Sequence, residues 1–103
     1  MVARLWSARA TATQCPLYLN HFSEEVLPSV RKLDGFVSYS VLTRPRDSAI
    51  EILVTTHWKS LGSIDAFAGP DRDIAVVAPA AAALLLTFDQ RVQHFDIALS
   101  GTA

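Results

Sequence analysis

The chain has 103 residues, of which 50% are hydrophobic and 18% charged, and its net charge is −1. A chain this short forms one domain, residues 1–103, and hides only about 60–65% of the surface that it exposes when unfolded. Since so much apolar material exceeds what a small monomer hides, we expect a homodimer. The nine Lys and Arg residues are spread along the chain, which argues against nucleic acid as a partner.

Targeting segments, metal sites and nucleotide sites find no support in the sequence. The stretch Met1 to Trp6 lacks the apolar core of a signal peptide, and no apolar run approaches the roughly 20 residues that span a bilayer. We therefore expect a cytoplasmic protein with no membrane partner. Cys15 is the only cysteine, and no nearby His or Lys activates it, so we expect it to be inert. The three histidines stand on different predicted elements and no Gly-rich phosphate loop is present, so we expect no metal and no cofactor.

The first third of the chain predicts a strand and a long helix. Residues 2–10 alternate in polarity, as a strand does. Thr13 is then predicted to cap a helix that Gly35 ends, and Pro28 predicts a kink or a restart within it. Apolar side chains recur along that helix at steps of three and four residues: Leu19, Phe22, Val26, Val30 and Leu33.

The middle of the chain predicts a hairpin and a second helix. Residues 36–43 and 49–58 are rich in β-branched and aromatic side chains, and the intervening residues 44–48 have turn chemistry. Ser60 is predicted to cap a helix that ends at Gly69.

The last third predicts a third helix that begins at Asp71 and is broken by Pro79, a connector at residues 86–89, and a final strand at residues 91–99. The order is that of an α+β ferredoxin-like split βαβ sandwich, with helices on one face of an antiparallel sheet. The other face is so apolar that we expect the sheet of a second copy to cover it, which gives a dimeric α+β barrel.

Six side chains are candidates for a ligand site between the sheet and its helices: Arg4, Trp6, His57, Trp58, Phe67 and His94. Arg4 and Trp6 share a strand face, where an Arg beside a ring suits a phenolate or a carboxylate. The alternative for Arg4 is a structural ion pair with Glu51 or Asp96.

The other candidates also have two interpretations. Trp58 and Phe67 suit either the core or the wall of a planar ligand's pocket. His94 suits either proton transfer or a structural hydrogen bond to a carbonyl. His57 lies on the opposite strand face from Trp58, where an interface histidine is the alternative to a ligand contact. His21 lies off the apolar stripe and is expected to be solvated.

Five short pieces carry a resemblance over nearly the whole chain: Leu27-Pro28 before Gly35-Phe36, Trp58 with Ser60, Phe67-Ala68-Gly69, Ala75-Val76 with Pro79, and Phe88-Asp89 to His94. In this order they resemble the antibiotic biosynthesis monooxygenase family of dimeric α+β barrels. The resemblance implies a small hydrophobic or aromatic ligand and, for an enzyme, a cofactor-independent monooxygenase of a phenolic substrate. Arg4 would then stabilise the substrate anion, Trp6 and Trp58 would enclose the ring, and His94 would shuttle a proton.

Other functions compatible with the resemblance stay open. One is a non-catalytic ligand-binding or stress-response module, and another is an isomerase or lyase that uses His94 or His57 as its base. The heme-degrading branch of the family has an Asn on the first strand, and a Trp and an iron-ligating His on the helices after the third. The corresponding positions here fall near Phe67 and Val77, and residues 2–10 contain no Asn, which argues against heme degradation of that kind.

Overall fold

The computed structural model describes residues 1–103. Its elements are β1 (Val2–Ala10), α1 (Cys15–His21), a π-helical turn (Phe22–Val26), α2 (Leu27–Val30), β2 (Phe36–Arg46), β3 (Ala49–Trp58), α3 (Leu61–Ala68), α4 (Pro79–Ala82), β4 (Thr87–Phe88) and β5 (Gln93–Asp96). None of the helical segments combines the length and the apolarity that a bilayer crossing requires.

The five strands form one antiparallel sheet in the order β2-β3-β1, and both β4 and β5 pair with the free edge of β1. β1 and β3 pair along their whole length, from Val2 opposite Trp58 to Ala10 opposite Ile50. The long helix covers one face, where Tyr18 and Phe22 pack with Ile52 in the main buried cluster. The predicted α+β ferredoxin-like architecture is confirmed.

The β2–β3 hairpin turns more tightly than predicted. β2 continues through Pro45 to Arg46, and only Asp47 and Ser48 form the turn, with φ of 51° and 64°. Positive φ at both central residues is typical of a two-residue hairpin whose twist matches its strands. β2 is an edge strand, so Pro45 removes no bond from the sheet interior.

The irregularity expected at Pro28 is confirmed. Pro28 has no N–H to donate one turn back, and the preceding turn, Phe22–Val26, is a π helix before α2 resumes. The N–H of Leu27 donates to the carbonyl of Phe22, five residues earlier. This wider turn faces the sheet and forms one wall of the site described below.

The prediction of a helix that begins at Asp71 is wrong. Residues 71–78 form a turn and then an extended segment, in which Ile74 forms a bridge to Arg91. The Asp71 carboxylate accepts the N–H of Asp73 at 3.1 Å, so the side chain replaces the bonds of a first helical turn. β-branched side chains such as Ile74 and Val77 also favour extended backbone. The segment runs beside residues 90–92, which connect β4 to β5, with the N–H of Ala75 donating to the carbonyl of Gln90 at 2.9 Å.

The final strand is shorter than predicted, and the predicted connector contains a short strand. β5 covers only Gln93–Asp96, which pair with the first four residues of β1, from Leu5 back to Val2. The next amide, of Ile97, donates to the carbonyl of Met1 at 2.9 Å. β4 takes the other end of the same β1 edge, with Phe88 opposite Ala8.

Candidate functional site

An apolar cavity lies between the helix-covered face of the sheet, the π-helical turn and residues 76–81. Thirteen of its sixteen lining residues are hydrophobic, and the polar exceptions are Arg4, His21 and Thr56. The volume open to the centres of water molecules is about 80 Å³. This space is well below the 300–1,000 Å³ of typical drug-sized pockets, so it suits a small ligand or one that displaces part of the wall.

Arg4 is the only charged residue in the buried core, with 5% of its surface exposed. Its Nη1 donates to the carbonyl of Arg72 and to Nε2 of His94, the latter at 2.9 Å. Its Nη2 donates to the carbonyl of Ile74 at 3.0 Å. These bonds use three of the five N–H donors of a guanidinium. No carboxylate lies within 4.0 Å of Arg4, so this buried cation has no ion-pair partner.

The His94 ring supports Arg4 from behind and does not line the cavity. Because Nε2 accepts a hydrogen from Arg4, Nδ1 carries the proton and donates to the Asp73 carboxylate at 3.2 Å. Burial, and secondly the charge of Arg4, lower the pKa of His94 below its ordinary value of 6.5, although Asp73 opposes the shift. His94 is therefore neutral at pH 7 and fixed in one tautomer.

Aromatic rings form the cavity wall beside the guanidinium. Trp58 is fully buried between Phe36, at 5.2 Å between ring centroids, and Phe67, at 5.8 Å, and its indole N–H donates to Thr56 Oγ1 at 2.9 Å. The Arg4 guanidinium carbon stands 5.5 Å from the centroid of the Phe67 ring, which is within cation–π range. On the cavity side Arg4 thus has apolar neighbours, and the charge that opposes its own is that of Asp73, which lies behind His94 and makes no direct ion pair with it.

Trp6 closes the opposite side of the cavity, against Tyr18 and Phe88 at 6.1 and 6.2 Å between ring centroids. Its indole N–H donates to the carbonyl of Asp89 at 2.9 Å. Burial raises the pKa of Tyr18 to about 12, so its hydroxyl stays protonated at any physiological pH. The wall at Trp6 is therefore uncharged.

The mouth of the cavity lies between the long helix and residues 76–80. A surface depression there shares five residues with the cavity and adds the polar residues Glu25 and Ser29. His21 belongs to both the cavity and the depression. Its Nε2 atom is buried and has no hydrogen-bond partner.

The structure brings four of the six candidate residues to the cavity: Arg4, Trp6, Trp58 and Phe67. His94 lies directly behind Arg4. His57 lies on the other face of the sheet, where it pairs with Ala3 and Ser38 and does not reach the cavity. The suggested ion pair of Arg4 with Glu51 is not formed, since Glu51 binds Arg44 and Arg46 at 2.6 and 2.9 Å.

Sequence reasoning missed His21, Tyr18 and Asp73. His21 was expected to be solvated, but it is half-buried at the cavity wall, next to the π-helical turn that no regular helical period anticipates. Asp73 was assigned to a helix that does not form. The one available signal was Pro28, which indicated an irregular helix without showing which side chains turn inward. Cys15 is buried and its pKa is raised by burial, in line with the inert thiol expected.

Comparison with known proteins gives one family and several similar structures. The sequence model of the antibiotic biosynthesis monooxygenase family matches residues 1–71. No curated protein matches the chain. A Bacillus cereus protein described as a candidate antibiotic biosynthesis monooxygenase is 16% identical, with a TM-score of 0.68 over 99% of this chain and 95% of that one.

Two further structures are also similar. The heme-degrader MhuD of Mycobacterium tuberculosis, solved with two hemes in its active site, is 21% identical, with a TM-score of 0.68 over 99% of this chain and 100% of that one. A candidate antibiotic biosynthesis monooxygenase of Deinococcus radiodurans is 15% identical, with a TM-score of 0.62 over 100% of this chain and 98% of that one. At these identities the structural likeness shows the fold alone.

Proposed function

The chain belongs to the antibiotic biosynthesis monooxygenase family, and on that basis we propose that it binds a small aromatic molecule that carries an anionic oxygen. The observation that carries the proposal is Arg4, a buried cation on the wall of an apolar cavity without a carboxylate partner. An anionic ligand would form the direct ion pair that Asp73, behind His94, does not make.

The energetics of Arg4 favour such a ligand. Burial lowers the pKa of Arg4 to about 10, although the charge of Asp73 opposes the shift, so the side chain is still charged at pH 7 but less stable as a cation than in water. A buried charge is costly unless it is paired, and an Arg binds a carboxylate or phenolate through paired N–H donors. Two donors of Arg4 remain for this purpose. Trp58 and Phe67 beside it offer surfaces on which an aromatic ring packs.

The reaction that we propose is cofactor-independent monooxygenation of a phenol. A phenol with an unsubstituted para carbon reacts with one O₂ to give a para-quinone and one water. The phenolic O–H and the para C–H bonds break, one oxygen atom becomes the new carbonyl and the other becomes water. The substrate supplies all four electrons, so no further reductant is needed.

In this reaction the protein binds the phenolate and keeps water away. Arg4 stabilises the phenolate oxygen, which raises the fraction of substrate in its electron-rich form. Trp6 and Trp58 border a space that excludes water and orients the ring. The proposed role of His94 is to position Arg4, because both of its ring nitrogens are already engaged. This role replaces the proton shuttle that the sequence suggested.

Heme is the ligand of one similar structure, MhuD, so its fit to this chain matters. Phe67 and Val77, at the positions where the heme-degrading branch has a Trp and a His, both line the cavity with apolar side chains. The Nε2 atom of His94 is occupied by Arg4. The cavity of about 80 Å³ is also far smaller than a porphyrin needs. The residues present therefore do not fit a heme bound in that way, and we derive no step through one.

A second candidate function is ligand binding without catalysis. It is favoured by the engagement of both His94 nitrogens, since this leaves no imidazole beside Arg4 free to exchange a proton with the ligand. A binding module would use the same anion site at Arg4, and it would show ligand-induced stabilisation without turnover.

We also propose that two copies associate through the sheet face that no helix covers. Leu5, Leu42, Leu53 and Phe95 share that face, and about half of the surface of Leu42 and of Phe95 is exposed. Serine, threonine and histidine side chains lie between them, and large exposed apolar side chains with polar neighbours are typical of a subunit interface. His57 lies on the same face and would belong to the interface.

Oxygen consumption with 1,5-dihydroxynaphthalene tests the monooxygenase proposal. We expect one O₂ to be consumed for each quinone that forms, and the rate to fall in Arg4→Met. A Lys32→Ala variant serves as the control, since Lys32 is exposed and does not line the cavity, and it should retain the rate. Ligand binding with no oxygen uptake would favour the non-catalytic module, and the absence of any binding would refute the anion site.

A further inference from the structure

His21 differs from every other polar group at the cavity. His21 is the last residue of α1, next to the π-helical turn, and it lines both the cavity and the mouth of the cavity. Its Nε2 atom is buried without a hydrogen-bond partner. Buried polar atoms almost always have a partner, and exceptions often mark a functional group. The proposed role of Arg4 leaves His21 unused.

The surroundings of His21 define what could bind it. Val26, Phe67 and Val76 are apolar and offer it no hydrogen bond. Glu25, which also lines the mouth, carries a negative charge that disfavours a second anionic group there. A neutral hydroxyl suits this position, since it can donate to or accept from an imidazole nitrogen.

We propose that His21 recognises a hydroxyl group at the outer end of the ligand. This inference rests on the proposed function, because it assumes that Arg4 holds the anionic end. The ligand class is then an aromatic molecule with an anionic oxygen at one end and a neutral hydroxyl at the other. His21 determines specificity within that class by providing the hydroxyl with its hydrogen-bond partner at the mouth.

Matched pairs of acids test the assignment on the purified full-length chain. Each pair differs by one hydroxyl opposite the carboxylate: benzoate and 4-hydroxybenzoate, and 2-naphthoate and 6-hydroxy-2-naphthoate. Titration calorimetry gives the affinity ratio within a pair. For the pair whose reach matches the cavity, we expect the hydroxylated acid to bind about three- to tenfold more tightly, as one net hydrogen bond provides.

Three variants assign that ratio to His21. His21→Phe should bring the ratio to about one while leaving the affinity for the parent acid unchanged. His21→Gln, which keeps a hydrogen-bonding side chain, should preserve a ratio above one. Ser29→Ala is the control at the same mouth, because Ser29 Oγ donates to the carbonyl of Glu25 and its loss leaves His21 in place. Thermal unfolding shows that each variant is folded.

The outcomes separate this inference from the function on which it rests. A ratio of one in the unsubstituted protein, or a ratio that survives in His21→Phe, overturns the role of His21 while the anion site stands. If none of the four acids binds, the anion site at Arg4 is itself refuted, and the role of His21 falls with it.

Discussion

Replacement of Arg4 by Met separates a binding role of this residue from a structural one. Met has a flexible apolar side chain that occupies the space of the Arg stem without a charge. The lowering of the pKa of Arg4 to about 10 corresponds to about 3 kcal/mol of disfavoured charge, which the substitution removes. It also removes three hydrogen bonds from a charged donor, at about 1.5 kcal/mol each.

The two effects nearly offset each other. We expect Arg4→Met to lower the free energy of unfolding of the ligand-free protein by about 1–2 kcal/mol. The carbonyls of Arg72 and Ile74 lose their donor, and because Ile74 is exposed, water can replace it there. The affinity for 2-naphthoate should fall far more, by about ten- to a hundredfold, because the lost contact is a charge-assisted pair.

Urea unfolding measures the stability and calorimetric titration measures the affinity. Neutral 2-naphthamide is the control ligand, and its affinity should change little in Arg4→Met. An unchanged affinity for 2-naphthoate would refute the anion site. A loss of stability above about 4 kcal/mol with equal losses for both ligands would show that Arg4 is structural.

The remaining predictions concern stability, pH and assembly. Gly35→Ala should destabilise the protein far more than Gly69→Ala in urea unfolding, because both glycines have φ above 80° but only a Cβ at Gly35 would clash with the Ser63 side chain; equal losses would show that the contact relaxes freely. The lowered pKa of His94 means that the unfolded chain binds its proton more tightly, so stability is full above the ordinary pKa of 6.5 and declines as the pH falls below it; His94→Gln should flatten this decline, and an unchanged slope would contradict the assignment. Leu42→Glu, on the open sheet face, should yield a species of one chain, 11.2 kDa, by light scattering where the unsubstituted protein shows twice that mass; a dimeric variant would place the interface elsewhere.

The regular elements followed from local sequence signals. The strands Val2–Ala10 and Ala49–Trp58 were predicted with their observed bounds. Their β-branched and aromatic residues, and the alternation of buried and more exposed positions along each strand, are typical of a strand with one buried face. The Ser60 cap was also predicted, and its Oγ accepts the N–H of Ser63 at 3.2 Å. These features depend on neighbouring residues, which a single sequence displays directly.

The site depended on contacts between distant parts of the chain. Arg4 contacts Arg72, Ile74 and His94, which are 68 to 90 residues away in sequence. Nothing in residues 71–78 indicated that their carbonyls would reach Arg4. The sequence suggested Arg4 as an anion-binding residue from its strand face alone. It could not show that the acidic group nearest in effect, Asp73, would bond to His94 and leave Arg4 without a direct ion pair.

The anion site at Arg4 is tested most directly by a crystal structure of the protein with 2-naphthoate. We expect the carboxylate to lie within hydrogen-bond distance of Nε or Nη2 of Arg4 and the ring to pack between Trp6 and Trp58. The hydrogen bond between Arg4 and His94 should be kept. A carboxylate bound at the mouth, or a naphthalene ring in the cavity with its carboxylate turned away from Arg4, would contradict it.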